Sequence, residues 1–278
     1  MNSKINIALR GRDYMGKSKT HYGICCVCGK PGNLTFEHIP PKKTNNTHQI
    51  KKIIDPIAFF EDEKEFNEKI KEVKFKLGNQ KGMGDWTLCS HCNNYFGGQY
   101  ANEFIPFYNE LADFFKGNYY EIINRSNAGY LDIQIQANIN FFRFQKQVVS
   151  MLMSTSKGVY KDYFKDYLLD AKNTNFPTKK FKIIMNGYLD FNVFGVNGHM
   201  MGANLSGGFE IVGSEIQVFP LGFTLVELNG SENEKNINFG LDITNWFDEK
   251  DCQQQKEFSL RTYIKSQPFP YYISGVTP

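Results

Sequence analysis

The residues with the most chemistry in this chain sit in three short stretches. Cys25-Cys26-Val27-Cys28 is answered by Cys89-Ser90-His91-Cys92-Asn93-Asn94, and Glu37-His38-Ile39-Pro40-Pro41-Lys42 lies between them. Two Cys-x2-Cys pairs have the spacing to chelate one tetrahedral zinc ion through Cys25, Cys28, Cys89 and Cys92, each sulfur ~2.3 Å from the metal. Cys26 closes that turn with Cys28 less well than Cys25 does, which leaves it as a packed or spare thiol. Glu37, His38 and Asn93 bring oxygen and nitrogen donors of the kind that hold a second, hydrated cation beside a general base. Asn93 also suits the cap of a helix that starts there.

The order of these elements resembles the HNH family of nucleases, the ββα-metal fold, in its zinc-braced form. The resemblance covers roughly residues 24–98 and is similar in pattern to phage resolvase-type enzymes: Cys-x2-Cys, an acid-His pair, then Cys-x2-Cys-Asn. The run Glu37-His38-Ile39-Pro40-Pro41-Lys42 also resembles the Asp-His-x-Pro-Pro-Lys start of HNH effectors in bacterial anti-phage systems. The resemblance implies an endonuclease acting on DNA. His38 would be the general base, Glu37 and Asn93 would hold one Mg²⁺ or Mn²⁺, and Lys42 and Lys43 would touch flanking phosphates. The chain departs from the family pattern at Glu37, where Asp is commoner, and at Asp85, near the position of the family's middle Asn. It departs again at Phe96, where a basic residue is usual, and in the long insert from Ile39 to Leu88.

Charge fits a polyanionic partner at the N-terminal end and a solvated lysine-rich surface equally well. The net charge is +3, yet residues 1–54 carry ten Lys or Arg against Asp13 and Glu37, so the remainder is acidic. The 25 Phe and 15 Tyr are read as core rather than as base-stacking surface. No apolar run approaches the ~18 residues that span a bilayer, which excludes a helical membrane anchor as a partner. Met1 to Tyr22 is basic without an apolar h-region and is not read as a secretory signal. Five of the six cysteines lie in the knuckles and Cys252 stands alone, a distribution that suits metal binding in a reducing cytoplasm.

Behind these residues the sequence predicts an α+β protein. Residues 1–118 are expected to form the zinc-braced ββα-metal unit with a basic arm, and residues 119–278 a second α+β domain with a mainly antiparallel sheet. A short strand is expected at Asn33–Phe36, and Pro40-Pro41 keep His38 on an extended segment. Helices are expected at Glu61–Leu77, from Asn93, at Ala101–Lys116, Phe141–Ser156 and Tyr160–Ala171. Strands are expected at Tyr119–Ile123, Leu131–Gln136, Phe181–Met185, Leu189–Val196, Phe209–Val212, Glu215–Phe219, Phe223–Glu227 and Ile237–Asp242. Residues 119–278 match no known pattern. Oligomerisation with further copies, regulation by a ligand or protein, and substrate recognition all stay open for them. So does a different class of protein, a non-catalytic zinc-binding module that binds nucleic acid or protein.

Overall fold

The computed structural model describes residues 21–47, 49–52, 76–126, 129–191, 194–203, 210–228, 239–249 and 254–265. The first sheet holds β1 (His21–Ile24), β2 (Pro31–His38) and β5 (Gly84–Cys89) in the antiparallel order β1-β2-β5. The knuckle between β1 and β2 closes through Gly29 N to Cys25 O and Cys25 N to Lys30 O, both 3.0 Å. β5 runs straight into α1 (Ser90–Gln99), so the second Cys-x2-Cys pair spans the strand-to-helix corner. The insert leaves and returns through an antiparallel pair, β3 (Gln49–Lys52) and β4 (Lys76–Lys81). The helix expected at Glu61–Leu77 therefore does not reach Leu77, which lies in β4; the rest of it, with His48, Cys252 and the basic arm before His21, lies outside the described residues.

The second sheet has seven strands. β6 (Tyr130–Ile139), β12 (Gln254–Tyr263), β7 (Phe181–Tyr188), β10 (Leu221–Glu227), β9 (Glu210–Val218) and β8 (Phe194–Ala203) follow in that spatial order, and β11 (Leu241–Asp242) pairs with β7. All pairings are antiparallel except the short parallel join of β12 to β7. Against it pack α2 (Ala101–Gly117), α4 (Phe141–Thr155) and, through Phe164 on Phe181, α5 (Lys161–Leu169), while α3 (Tyr119–Arg125) follows and contacts α2. The architecture is α+β with mostly antiparallel sheets, and none of the described helices is long and apolar enough to cross a membrane.

The helix α4 is the centre of the packing. Its sequence shows one apolar face, yet every residue but Arg143 is buried; Gln145, Lys146, Ser150 and Thr155 find partners inside, while Gln147 Oε1 has none among the described residues. Gln145 Nε2 donates to the Ile243 and Thr244 carbonyls at 2.8 and 2.7 Å, and Tyr167 Oη donates to Gln145 Oε1 at 2.6 Å. The Lys146 ammonium donates to the carbonyls of Tyr167, Asp170 and Asn173 around the C-terminus of α5, where the helix dipole favours a cation. One buried cluster runs from Cys25, Leu88 and Phe96 through α2 and α4 to Leu260. Both sides of the junction at Gly117–Asn118 contribute to it.

Several expected elements change. Tyr119–Ile123 is helical, as the first residues of α3. The Ile122 amide donates to the Asn118 carbonyl at 3.0 Å, and Arg125 pairs with Glu121 one turn earlier at 2.6 Å. Its aromatic residues suit a strand, but helical bonding to the residues just before it satisfies its backbone. Phe114 is 43 % exposed rather than part of the apolar face of α2. The two strands expected at Phe209–Val212 and Glu215–Phe219 are one, β9, and the strand expected from Leu189 begins at Phe194. β12, whose Gln-Gln-Lys-Glu start hides its alternation, was not expected at all; it pairs with β6 along its full length.

Candidate metal centre and adjoining polar site

The two knuckles meet at one end of the β1-β2-β5 sheet. The sulfurs of Cys25, Cys28, Cys89 and Cys92 all lie within 4.8 Å of one another, and Cys28 Sγ is 3.8 Å from Cys89 Sγ. A tetrahedron with ~2.3 Å metal–sulfur bonds has edges of about 3.8 Å, so the cluster has the size that zinc requires. Cys25 and Cys92 are fully buried, and the others are half-buried. A hydrogen bond from the Cys92 thiol holds Cys25 down to about 4, so one thiolate is favoured before any cation arrives. Four such sulfurs form a soft, closed donor set of the structural zinc type.

Cys26 is different. Burial pushes its thiol up to about 12, and its sulfur sits 3.9 Å from Ser154 Oγ at the end of α4. It is a neutral packing residue that ties the knuckle to the central helix, as its place in the sequence implied.

Farther along β2, alternation divides the polar residues between two faces. Thr35 and Glu37 point to the face covered by α1. The Thr35 hydroxyl donates to the Leu88 carbonyl and accepts from Asn93 Nδ2, both at 2.9 Å. Because the hydroxyl proton is engaged at Leu88, Thr35 can only accept from Asn93. The Asn93 carbonyl oxygen, Oδ1, is thereby turned away and has no hydrogen-bond partner among the described residues. Glu37 is 7 % exposed, and its carboxyl has neither a hydrogen bond nor an ion pair there. Burial alone pushes it up to about 8. A carboxyl of low exposure with no protein partner and an amide oxygen turned outward are each oxygen donors of the kind a hard divalent cation takes.

His38 leaves the strand on the other face. Its ring meets the edge of Phe36 at 4.9 Å, and Phe36 in turn meets Trp86 at 5.7 Å. His21, which the sequence does not single out, stacks on Trp86 at 3.8 Å. The chain turns away directly after His38 into a short 3-10 turn, Lys42–Thr44, on which Lys42 and Lys43 are exposed. His91 is exposed, as expected, and stacks on Tyr95 at 6.4 Å. Phe96 lies in the core, stacked on Tyr100 at 5.7 Å, which accounts for an aromatic at that position.

One residue with a clear part in this site escapes sequence reading. Asn46 is buried and bridges the loop after His38 to the turn before β5: Nδ2 donates to the Pro40 and Met83 carbonyls at 2.6 and 2.8 Å, and Oδ1 accepts from Met83 N at 2.5 Å. Gly82 completes the clamp in the left-handed region, φ 99°, where a Cβ would strike the Asn46 carbonyl. Thr44-Asn45-Asn46-Thr47 reads as an ordinary polar loop, and nothing in it marks the second Asn. Asn46→Ala is expected to cost about 2–4 kcal/mol by orphaning these buried groups. Thermal melting and metal analysis would check this, with zinc content expected to stay unchanged; an unaltered melting temperature would remove the clamp from the account. Comparison with protein-family models, with curated proteins and with solved structures finds no match.

Proposed function

We propose that this chain is a metal-dependent HNH endonuclease that hydrolyses DNA phosphodiester bonds, with β1, β2, β5 and α1 as its zinc-braced ββα-metal unit. The observation that carries the reading is Glu37: a carboxyl 7 % exposed and without a partner, on the sheet face where Thr35 turns Asn93 Oδ1 outward. A purely structural zinc module has no use for a buried, unpaired acid, whose desolvation is costly. A catalytic cation site does. The Pro-Pro-Lys continuation after His38 extends the proposal to an effector role in anti-phage defence.

In this reading the four cysteines would hold zinc, and their part is only to brace the fold. Glu37 and Asn93 would hold the second ion, Mg²⁺ or Mn²⁺, which would supply positive charge to the reacting phosphate. His38 takes the proton from the attacking water, a task for a neutral imidazole. In-line displacement needs the base and the leaving-group side on opposite sides of the phosphorus. Glu37 and His38 leave β2 on opposite faces, so a phosphate placed across the strand end would meet them in that relation. Asn46 keeps the loop behind His38 in place, and Lys42 and Lys43 offer their charges to neighbouring phosphates.

The test is a supercoiled-plasmid assay with zinc-loaded protein. Nicked or linear plasmid is expected with Mg²⁺ or Mn²⁺ and none without them. A protein inert toward double- and single-stranded DNA in every metal would leave the non-catalytic zinc-binding module in its place.

A further inference from the structure

The turn that ends α4 carries a lysine where backbone geometry disfavours one. Lys157 has φ 51° and Gly158 φ 79°, two successive left-handed residues. The turn closes through Gly158 N to Met153 O and Val159 N to Ser156 O, both 3.1 Å. Glycine at 158 is required, because a Cβ there would lie 2.7 Å from the Cys26 carbonyl; the turn rests directly on the first knuckle. At 157, glycine or asparagine would adopt that conformation with less strain. A side chain kept in such a position points to a role for the side chain itself.

The lysine reaches toward the polar site. Its ammonium lies 3.6 Å from Asp85 Oδ2, while Asp85 Oδ1 accepts from the Trp86 amide at 2.8 Å, which fixes the carboxyl. Asp85 stands directly opposite Glu37 in the β2–β5 ladder, so both emerge from the same face of the sheet, about 5 Å apart at Cβ. The Lys157 side chain is 76 % exposed, and an ion pair so open to water adds little to stability. An exposed ammonium beside the metal-binding face is instead well placed for an anion.

Resting on the nuclease reading above, we propose that Lys157 is a phosphate-contacting residue, delivered to the N-terminal unit by the C-terminal part of the chain. Asp85 holds the ammonium in position in the free protein. A DNA phosphate next to the scissile one takes it over on binding, exchanging one oxyanion partner for another.

The experiment measures binding of a fluorescent DNA duplex by zinc-loaded protein with no Mg²⁺ or Mn²⁺ added, and cleavage kinetics with them. Lys157→Gln and Lys157→Gly are expected to weaken binding roughly three- to tenfold and to lower the slope of log Kd against log salt by about 1. Lys157→Arg should keep wild-type affinity. Lys157→Gly, which relieves the backbone, should also melt no lower than wild type, so that lost affinity cannot be blamed on unfolding. Lys165→Gln, an exposed lysine on α5, is the control for simple loss of charge. The assignment is overturned if Lys157→Gln and Lys157→Gly bind like wild type, or if Lys165→Gln weakens binding as much. Wild-type protein that cuts plasmid while these variants match it removes only the Lys157 assignment; wild-type protein that neither binds nor cuts removes the nuclease reading with it.

Discussion

His38→Ala is expected to abolish plasmid cleavage while leaving one zinc per chain. Losing a general base costs typically 10²–10⁴-fold in rate, enough to take activity below detection in a nicking assay. The zinc cluster should not notice. In the ladder Leu34 pairs with Cys89 at the knuckle end and His38 with Gly84 at the other, and four residues of strand separate them by about 13 Å. The imidazole packs on the edge of Phe36 and lies against Gly82, so its removal opens a small surface gap rather than a hole in the core. The measurement pairs initial nicking rates with zinc quantification and a melting curve. Cleavage at the wild-type rate by a folded, zinc-loaded His38→Ala protein would end the proposed mechanism.

Cys89→Ser should do the opposite: zinc content falls toward zero and the fold fails. Structural zinc in small sites contributes apparent binding energies of about 10–16 kcal/mol, as much as the whole stability of a typical domain. The three-stranded sheet it braces is small, and Cys89 is both the last residue of β5 and the entry to α1. The damage is expected to spread, because Cys25, Leu88 and Cys92 belong to the same buried cluster as α4. One lowered transition, by more than about 10 °C, is therefore anticipated in place of selective melting of the N-terminal unit. Cys26→Ala is the matched control. That residue packs against Ser154 outside the cluster of four, so its loss should leave zinc binding intact and cost about 1–2 kcal/mol. Full zinc occupancy and unchanged melting in Cys89→Ser would show that the four cysteines do not brace the fold.

The parts of the structure that depend on neighbours in sequence were legible beforehand. Two residues between cysteines are what a chelating turn needs, so the cluster of Cys25, Cys28, Cys89 and Cys92 could be read from spacing alone. The 3.6-residue period of Phe104, Phe107 and Leu111 placed α2, and strict alternation placed β6. Where a local pattern was ambiguous, the surroundings decided. Tyr119–Ile123 carries strand-forming residues but bonds as a helix. The sequence of α4 shows only an apolar face, yet its polar Gln145 and Lys146 are buried too, because the carbonyls of Ile243 and Thr244 meet the first and those of Tyr167, Asp170 and Asn173 the second.

The same division runs through the site. The sequence alone determined which four cysteines gather into a cluster that could hold a metal, that His38 sits on an extended segment, and that Glu37 and His38 must face opposite ways, since each follows from covalent spacing or strand period. Only the tertiary structure decided that Glu37 is desolvated and unpaired, that Thr35 turns Asn93 Oδ1 outward, that Asn46 clamps the loop behind His38, and that Lys157 arrives beside Asp85. These are contacts between segments distant in sequence, made by folding a buried core around α4. Desolvation and hydrogen-bond geometry belong to that packed arrangement, and no local pattern of residues encodes them.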